Sequence, residues 1–180
     1  KKTNAIINIH LYGLSEDLYE RGIIAEKHGL FIVEDCAQAH GAVYKGKKVG
    51  TFGIASAFSF FPTKNLGAYG DAGAIVTDDP DILEKVRRIS NHGQHNQKHQ
   101  HDFTGRNSRL DTLQAAILEV KLRHLDGWNA KRIYLAGLYI ERLSGLTDLN
   151  LPVAPDGRTH VFHLFVIRTK KRETLITSLN

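Results

Sequence analysis

The chain has 180 residues, about two-fifths of them hydrophobic, and a formal net charge of +5, enough for one substantial core and the beginning of a second. Its basic residues are scattered apart from Lys45, Lys47 and Lys48, which argues against a nucleic-acid footprint, and no apolar run is long enough to cross a bilayer. Cys36 is the only cysteine, which excludes an internal disulfide and fits a reducing, cytoplasmic setting; the absence of Met, and so of an initiator residue, leads us to expect a segment of a longer polypeptide.

Residues 5–10 read as a strand, Leu11 to Gly13 as a turn, and Ser15 as the cap of a helix over 16–28 that Gly29 ends. Residues 30–34 form an apolar run that reads as a buried strand, with Asp35 directly after it, and 55–59 and 73–77 read as two more strands. Tyr44 to Gly50, which holds the three lysines, reads as an exposed turn between short strands. The glycines at 41, 46, 50, 53, 67, 70 and 73 mark turns or places where backbone approaches a ligand.

Pro80 and Asp81 introduce a helix over 82–90, with Ile82, Leu83, Val86 and Ile89 at helical spacing, and a polar loop over 92–108 follows. The pattern over 111–123 predicts a helix with Leu113, Ala116, Ile117 and Val120 on one face, and 127–143 predicts another. Residues 150–159 carry Pro152, Pro155 and Gly157 and suggest a boundary, after which 160–168 read as a strand and 172–179 as the start of a helix. Strands alternating with helices make an α/β fold, in which ligands bind beyond the carboxyl ends of parallel strands. Asp35 and Lys64 both fall just past such ends.

Lys64 lies in Ser59-Phe-Phe-Pro-Thr-Lys64-Asn-Leu-Gly67-Ala-Tyr-Gly70-Asp-Ala-Gly73, surrounded by small, turn-forming neighbours. A carboxylate at one strand end, a lysine beyond another, a nearby hydroxyl and several glycines are the groups that pyridoxal phosphate requires. Each also has a commonplace reading: Lys64 as a surface lysine, Asp35 as a helix cap, Gln38 as an exposed amide, Ser59 and Asn107 as turn residues. His92, His95, His99 and His101 have spacings short enough for zinc, but no cysteine or carboxylate cluster accompanies them, and we expect no metal site. His160 and His163 read as core histidines or as groups facing the site.

Four ordered segments carry a resemblance over nearly the whole chain: Glu34-Asp35-Cys-Ala-Gln38-Ala-His-Gly41-Ala, the Ser59 to Gly73 segment, Gly105-Arg-Asn107-Ser-Arg109-Leu-Asp111-Thr-Leu-Gln114-Ala-Ala, and His160-Val-Phe-His163-Leu-Phe-Val-Ile-Arg168. Together they resemble the DegT/DnrJ/EryC1/StrS family of sugar aminotransferases. The resemblance implies a fold-type I aminotransferase: residues 1–145 as part of a large α/β domain with a mostly parallel sheet flanked by helices, and 146–180 as the start of a small C-terminal α/β domain.

It implies pyridoxal 5'-phosphate as cofactor and transfer of an amino group from glutamate to a nucleotide-linked keto sugar, dTDP- or UDP-linked and oxidised at C3. By the same resemblance Lys64 forms the internal Schiff base and moves the proton, Asp35 pairs with the pyridine nitrogen, Gln38 contacts the ring's 3-oxygen and Ser59 contacts the phosphate. Asn107 then reaches the phosphate of a neighbouring subunit, making the unit a homodimer with shared sites, and the histidine-rich loop lies near the partner's site. Family members with histidine in place of the lysine are dehydratases, and Lys64 sets this chain apart from them. Members are roughly twice this length, so an early Gly-Thr phosphate loop and a ring-stacking aromatic residue are expected to precede the chain. The alternatives are a non-catalytic pyridoxal-phosphate-binding regulator of the same fold and a purely structural fragment.

Overall fold

The computed structural model describes residues 2–94 and 100–179, so His95 and His99 of the histidine-rich loop lie outside the described residues. In chain order the elements are β1 (Ala5–Ile9), a 3-10 turn (Leu11–Gly13), α1 (Leu18–His28), β2 (Phe31–Asp35), β3 (Val43–Tyr44), β4 (Lys47–Lys48), β5 (Ala55–Ser59) and β6 (Gly73–Val76). After them come α2 (Pro80–Ser90), α3 (Thr112–Leu122), α4 (Leu125–Leu143) and α5 (Arg172–Leu179). The fold is α/β, a mixed sheet with helices, as expected.

The main sheet has the order β1-β2-β5-β6, in which β1, β2 and β5 run parallel and β6 is antiparallel to β5. Parallel neighbours need a long crossover, and α1 supplies it between β1 and β2. Register places Ile9 beside Asp35 and Asp35 beside Ala57. Because side chains alternate along a strand, Asp35, Ala57 and Ser59 share one face of the sheet. Asn8, Glu34 and Ser56 share the other face, and all three are buried.

Asp17, not Ser15, caps α1: its side chain accepts from the Glu20 amide, and the Tyr44 hydroxyl donates to the same carboxylate at 2.8 Å. Ser15 is wholly buried, its amide donating to the Thr159 carbonyl at 3.2 Å, so the helix starts later than its sequence pattern suggests. Gly29 ends α1 in the left-handed region, at φ 61°. The three-lysine segment is a β3–β4 hairpin whose Lys45 and Gly46 both have positive φ, the geometry of a two-residue turn matched to strand twist. Its lysines are exposed, while Tyr44 and Val49 beside them are buried.

Two further expected features differ. Helix α3 turns its Gln114, Leu118 and Lys121 side inward, one residue or about 100° round from the expected apolar face. Leu113 and Val120 are instead 72% and 57% exposed. Polar side chains win this face because both make hydrogen bonds there, Gln114 from the Tyr69 amide and Lys121 to the Gly67 carbonyl. Residues 160–168 form only isolated bridges, Leu14 to His160 and Asn150 to Arg168, and no strand. Phe162 has φ 45°, and the His160 ring stacks on the Phe162 ring at 3.9 Å while Nδ1 accepts from the Phe162 amide at 3.0 Å, so the chain bends.

Two apolar clusters support this frame. Leu18, Cys36, Ala39, Ala42, Tyr44, Val49 and Val161 pack with Phe52 and Phe58. Leu66, Ala68, Leu118 and Leu125 pack with Phe60 and Ala72. The first cluster lies behind the turn after β2, and the second pins the loop after β5 to α3 and α4.

Candidate active site

Asp35 is the last residue of β2, half-buried, with Oδ1 accepting from the Ala37 amide at 3.0 Å. Its other oxygen makes no hydrogen bond among the described residues. Ser59 ends β5 on the same sheet face, and its Oγ accepts from the Phe61 amide at 3.3 Å. Since Asp35 is level with Ala57, the Asp35 and Ser59 backbones are about 8 Å apart, one strand spacing across and two residues along. Gln38 follows in the turn after β2, where its Oε1 accepts from the Tyr12 amide at 2.6 Å. That bond leaves the amide nitrogen as the outward donor.

Lys64 is half-buried in the loop after β5, and its Nζ has no hydrogen bond or ion pair among the described residues. The loop is held rigidly around it. The Phe60 amide donates to the Ala72 carbonyl and the Ala68 amide to the Phe60 carbonyl, both at 2.8 Å, closing the loop on itself. Asn65 is buried and donates from Nδ2 to Asn129 Oδ1 at 2.9 Å and to the Val161 carbonyl at 3.0 Å, while Asn129 donates to the His40 carbonyl at 2.8 Å. At Gly67 an added Cβ would stand 2.4 Å from the Pro62 carbonyl oxygen, so no side chain fits the tight return of the loop.

Two histidines lie close enough to Lys64 to feel its charge. His40 is 3% exposed, its ring 5.6 Å from both the Phe58 and Phe60 rings; burial pushes it down to about 4, with the charges of His163 and Lys64 adding to the effect. His163 is lowered too, first by burial and then by Lys64 and Arg132, and its Nδ1 is buried without a hydrogen-bond partner. Both rings are therefore neutral near pH 7. His40 belongs to the turn after β2 and Lys64 to the loop after β5, so the segments carrying Asp35, Gln38 and Lys64 meet at the carboxyl ends of adjacent parallel strands.

The structure also holds a buried hydrogen-bonded pair, His10 and Glu34, that sequence reading did not single out. Glu34 is wholly buried and accepts four hydrogen bonds, from Gly50 N (2.8 Å) and His10 Nε2 (3.1 Å) at Oε2, and from Phe52 N (2.7 Å) and Gly53 N (2.9 Å) at Oε1. Burial pushes its carboxyl up, but the donors outweigh that and hold it below the usual value. His10, Glu34 and Cys36 offer ligand atoms within 4.8 Å of one another. The Glu34 oxygens are already engaged, and burial together with the Glu34 and Asp35 charges pushes the Cys36 thiol far up, so the trio is built as a hydrogen-bonded core rather than for a cation. A run such as Ile-Val-Glu-Asp gives no sign in sequence that its Glu faces inward.

Asn107 stands apart from this group. It bridges to Asn91, its Oδ1 accepts from Arg109 Nε at 3.2 Å, and it is exposed on the wall of an open cleft of about 860 Å³. Ala57, Gly73 and Ile75 of the sheet and Val86 and Ile89 of α2 line that cleft with it, whereas Asp35, Gln38, Ser59 and Lys64 do not. His101, from the histidine-rich loop, meets the His92 carbonyl through Nδ1 at 2.9 Å.

The DegT/DnrJ/EryC1/StrS aminotransferase family model matches residues 1–180. The chain is 46% identical over 179 residues to the dTDP-3-amino-3,4,6-trideoxy-alpha-D-glucose transaminase of Streptomyces venezuelae, covering 99% of this chain and 47% of that protein. It is 50% identical over 179 residues to the UDP-N-acetyl-3-dehydro-alpha-D-glucosamine 3-aminotransferase of Acidithiobacillus ferrooxidans, covering 99% and 48%. The crystal structure of S. venezuelae DesV in complex with a ketimine intermediate superposes with a TM-score of 0.94 at 47% identity, over 99% of this chain and 48% of that one. The chain thus spans about half the length of the relatives it matches.

Proposed function

Because the chain belongs to the DegT/DnrJ/EryC1/StrS aminotransferase family, we propose that the protein uses pyridoxal 5'-phosphate to move an amino group from glutamate to a dTDP- or UDP-linked 3-oxo sugar. The observation that carries this reading is Lys64: a half-buried amine without a partner among the described residues, on a loop fixed from both sides, next to the strand ends that carry Asp35 and Ser59. The 3-oxo preference rests on the two relatives, whose names specify 3-amino and 3-dehydro sugars.

The residues fit the cofactor. The free Asp35 oxygen would serve the pyridine nitrogen as a charge-assisted acceptor and hold a proton there. The free amide nitrogen of Gln38 donates to the ring's 3-oxygen, and Ser59 with neighbouring amides takes the phosphate; the roughly 8 Å between the Asp35 and Ser59 backbones suits a ring with a phosphate arm. When bound, pyridoxal phosphate supplies the electron sink that stabilises a carbanion beside the amino nitrogen. Lys64 is the amine that would anchor the cofactor, and when free its Nζ would hold and move a proton in the site. His40 and His163, held neutral, place no second positive charge beside that amine.

Residues 1–145 then belong to the large domain and 146–180 open the small one. Asn107, exposed on the wall of its cleft, reaches the phosphate of a second subunit, so the working unit is a homodimer. The setting is the cytoplasm; no helix among the described residues is long and apolar enough to cross a membrane.

The test is the absorbance of the whole purified polypeptide. We expect a visible cofactor band that glutamate bleaches and that Lys64→Ala abolishes. A band that survives in Lys64→Ala and remains reducible by borohydride refutes the assignment of Lys64, and a band that glutamate leaves untouched favours the regulatory reading.

A further inference from the structure

We propose that Glu34 and His10 form a positioning couple for the cofactor ring, holding Gln38 and Asp35 in place from behind the sheet; this rests on the function proposed above. Glu34 lies next to Asp35 in β2 but points to the opposite, buried face. Its two oxygens divide their work. Oε1 takes the Phe52 and Gly53 amides and so fixes the loop that leads into β5, where an added Cβ at Gly53 would stand 2.5 Å from the Ile32 carbonyl oxygen. Oε2 takes the Gly50 amide and His10 Nε2.

His10 carries the second arm. Its Nδ1 accepts from the Glu16 amide at 3.0 Å, so Nε2 carries the ring proton that is donated to Glu34. The ring thereby fixes the start of the Leu11–Gly13 turn, in which Tyr12 has φ 60° and Gly13 φ 98°. A Cβ on Gly13 would meet Val161 Cγ2 at 2.9 Å, the His163 amide nitrogen at 3.0 Å and the Gln38 carbonyl oxygen at 3.1 Å, so this turn is wedged between the two segments that flank Lys64. From it, Tyr12 donates its amide to Gln38 Oε1 at 2.6 Å. The path from Glu34 to the ring contact is therefore continuous: carboxylate, imidazole, left-handed turn, amide, Gln38. Glu34 and His10 are both wholly buried.

Two side-chain swaps at His10 separate positioning from bulk stability. Asparagine places an acceptor where Nδ1 stands and keeps the Glu16 bond but cannot reach Glu34; glutamine places a donor where Nε2 stands and keeps the Glu34 bond. In the holoenzyme we expect His10→Asn to raise the cofactor dissociation constant roughly tenfold, as loss of a hydrogen bond to a charged group does, and to change the visible circular dichroism per bound cofactor. His10→Gln recovers most of both. Glu34→Gln, which turns one acceptor into a donor facing amide donors, behaves like His10→Asn or worse. The dissociation constant comes from equilibrium dialysis, and the melting temperature of the cofactor-free protein is followed alongside.

If His10→Asn and Glu34→Gln lower the melting temperature but keep the wild-type dissociation constant and visible dichroism, the couple is only structural and the proposal is overturned. The same holds if Glu34→Gln fails to fold while His10→Asn and His10→Gln bind the cofactor alike. A wild-type protein that shows no visible band at all refutes the proposed function itself, a different result from a band that the variants leave unchanged.

Discussion

Acidification tests the buried histidines. His40 and His160 are 3% and 6% exposed, and burial pushes each from an ordinary value near 6.5 down to about 4. The folded state thus resists protonation that the unfolded chain accepts, so stability is full above the unfolded value and falls as pH drops from about 6.5 towards about 4. Between roughly pH 7.5 and pH 5, one such histidine costs about 2 kcal/mol, and the pair about 4 kcal/mol, against a typical total of 5–15 kcal/mol. His163, also lowered, adds to the loss in the same direction. Glu34 has the opposite sense: held below the usual carboxylate value, it stays ionised at pH 5, and its contribution disappears only at lower pH. Urea unfolding at the two pH values, followed by far-UV circular dichroism, measures the difference, and His40→Gln removes roughly half of it. A stability that changes by less than about 0.5 kcal/mol over this range means that these rings protonate without unfolding, and the burial argument is wrong.

Three further outcomes follow from the site. Asn65→Ala strands the Asn129 Oδ1 and Val161 carbonyl acceptors in the interior and should cost about 2–4 kcal/mol in urea unfolding, with a double-mutant cycle against Asn129→Ala showing strong coupling; additive effects would contradict the bridge. Asp35→Asn should keep the cofactor bound yet lower turnover at least about a hundredfold, and near-normal rates would remove its assigned role. Hybrid dimers that combine an Asn107→Ala subunit with a Lys64→Ala subunit should regain part of the activity lost by each parent, and no recovery would count against a contact across subunits.

The order of strands and helices was readable because each run of apolar residues had a period and a stop signal, such as Gly29 at the end of α1 and Pro80 at the start of α2. Three readings failed for local reasons that only packing decides, the strand over 160–168 among them, broken where Phe162 takes φ 45°. Asp17 displaced Ser15 as the α1 cap because the Tyr44 hydroxyl, 27 residues on, binds its carboxylate. The Leu113 side of α3 looked like the core face, but the loop around Lys64 needed the hydrogen bonds of Gln114 and Lys121. At the site, Asp35 and Lys64 stood out because turn glycines and polar residues follow the strands, whereas Gln38 and Ser59 were assigned through the family resemblance. Glu34 did not, since its four donors come from positions 10, 50, 52 and 53, and no local pattern joins them. Asn65 escaped notice in the same way, its partners lying 64 and 96 residues further along.

Cys36 follows the site carboxylate directly, is 0% exposed and is bonded through its amide to the Ala57 carbonyl at 2.8 Å. As the one thiol in these 180 residues, it meets an alkylating reagent only when the cluster of Leu18, Ala39, Ala42, Tyr44, Val49 and Val161 around it opens. Its labelling rate is consequently a clock for breathing of that cluster, and the slowing caused by any ligand measures how firmly that ligand closes it.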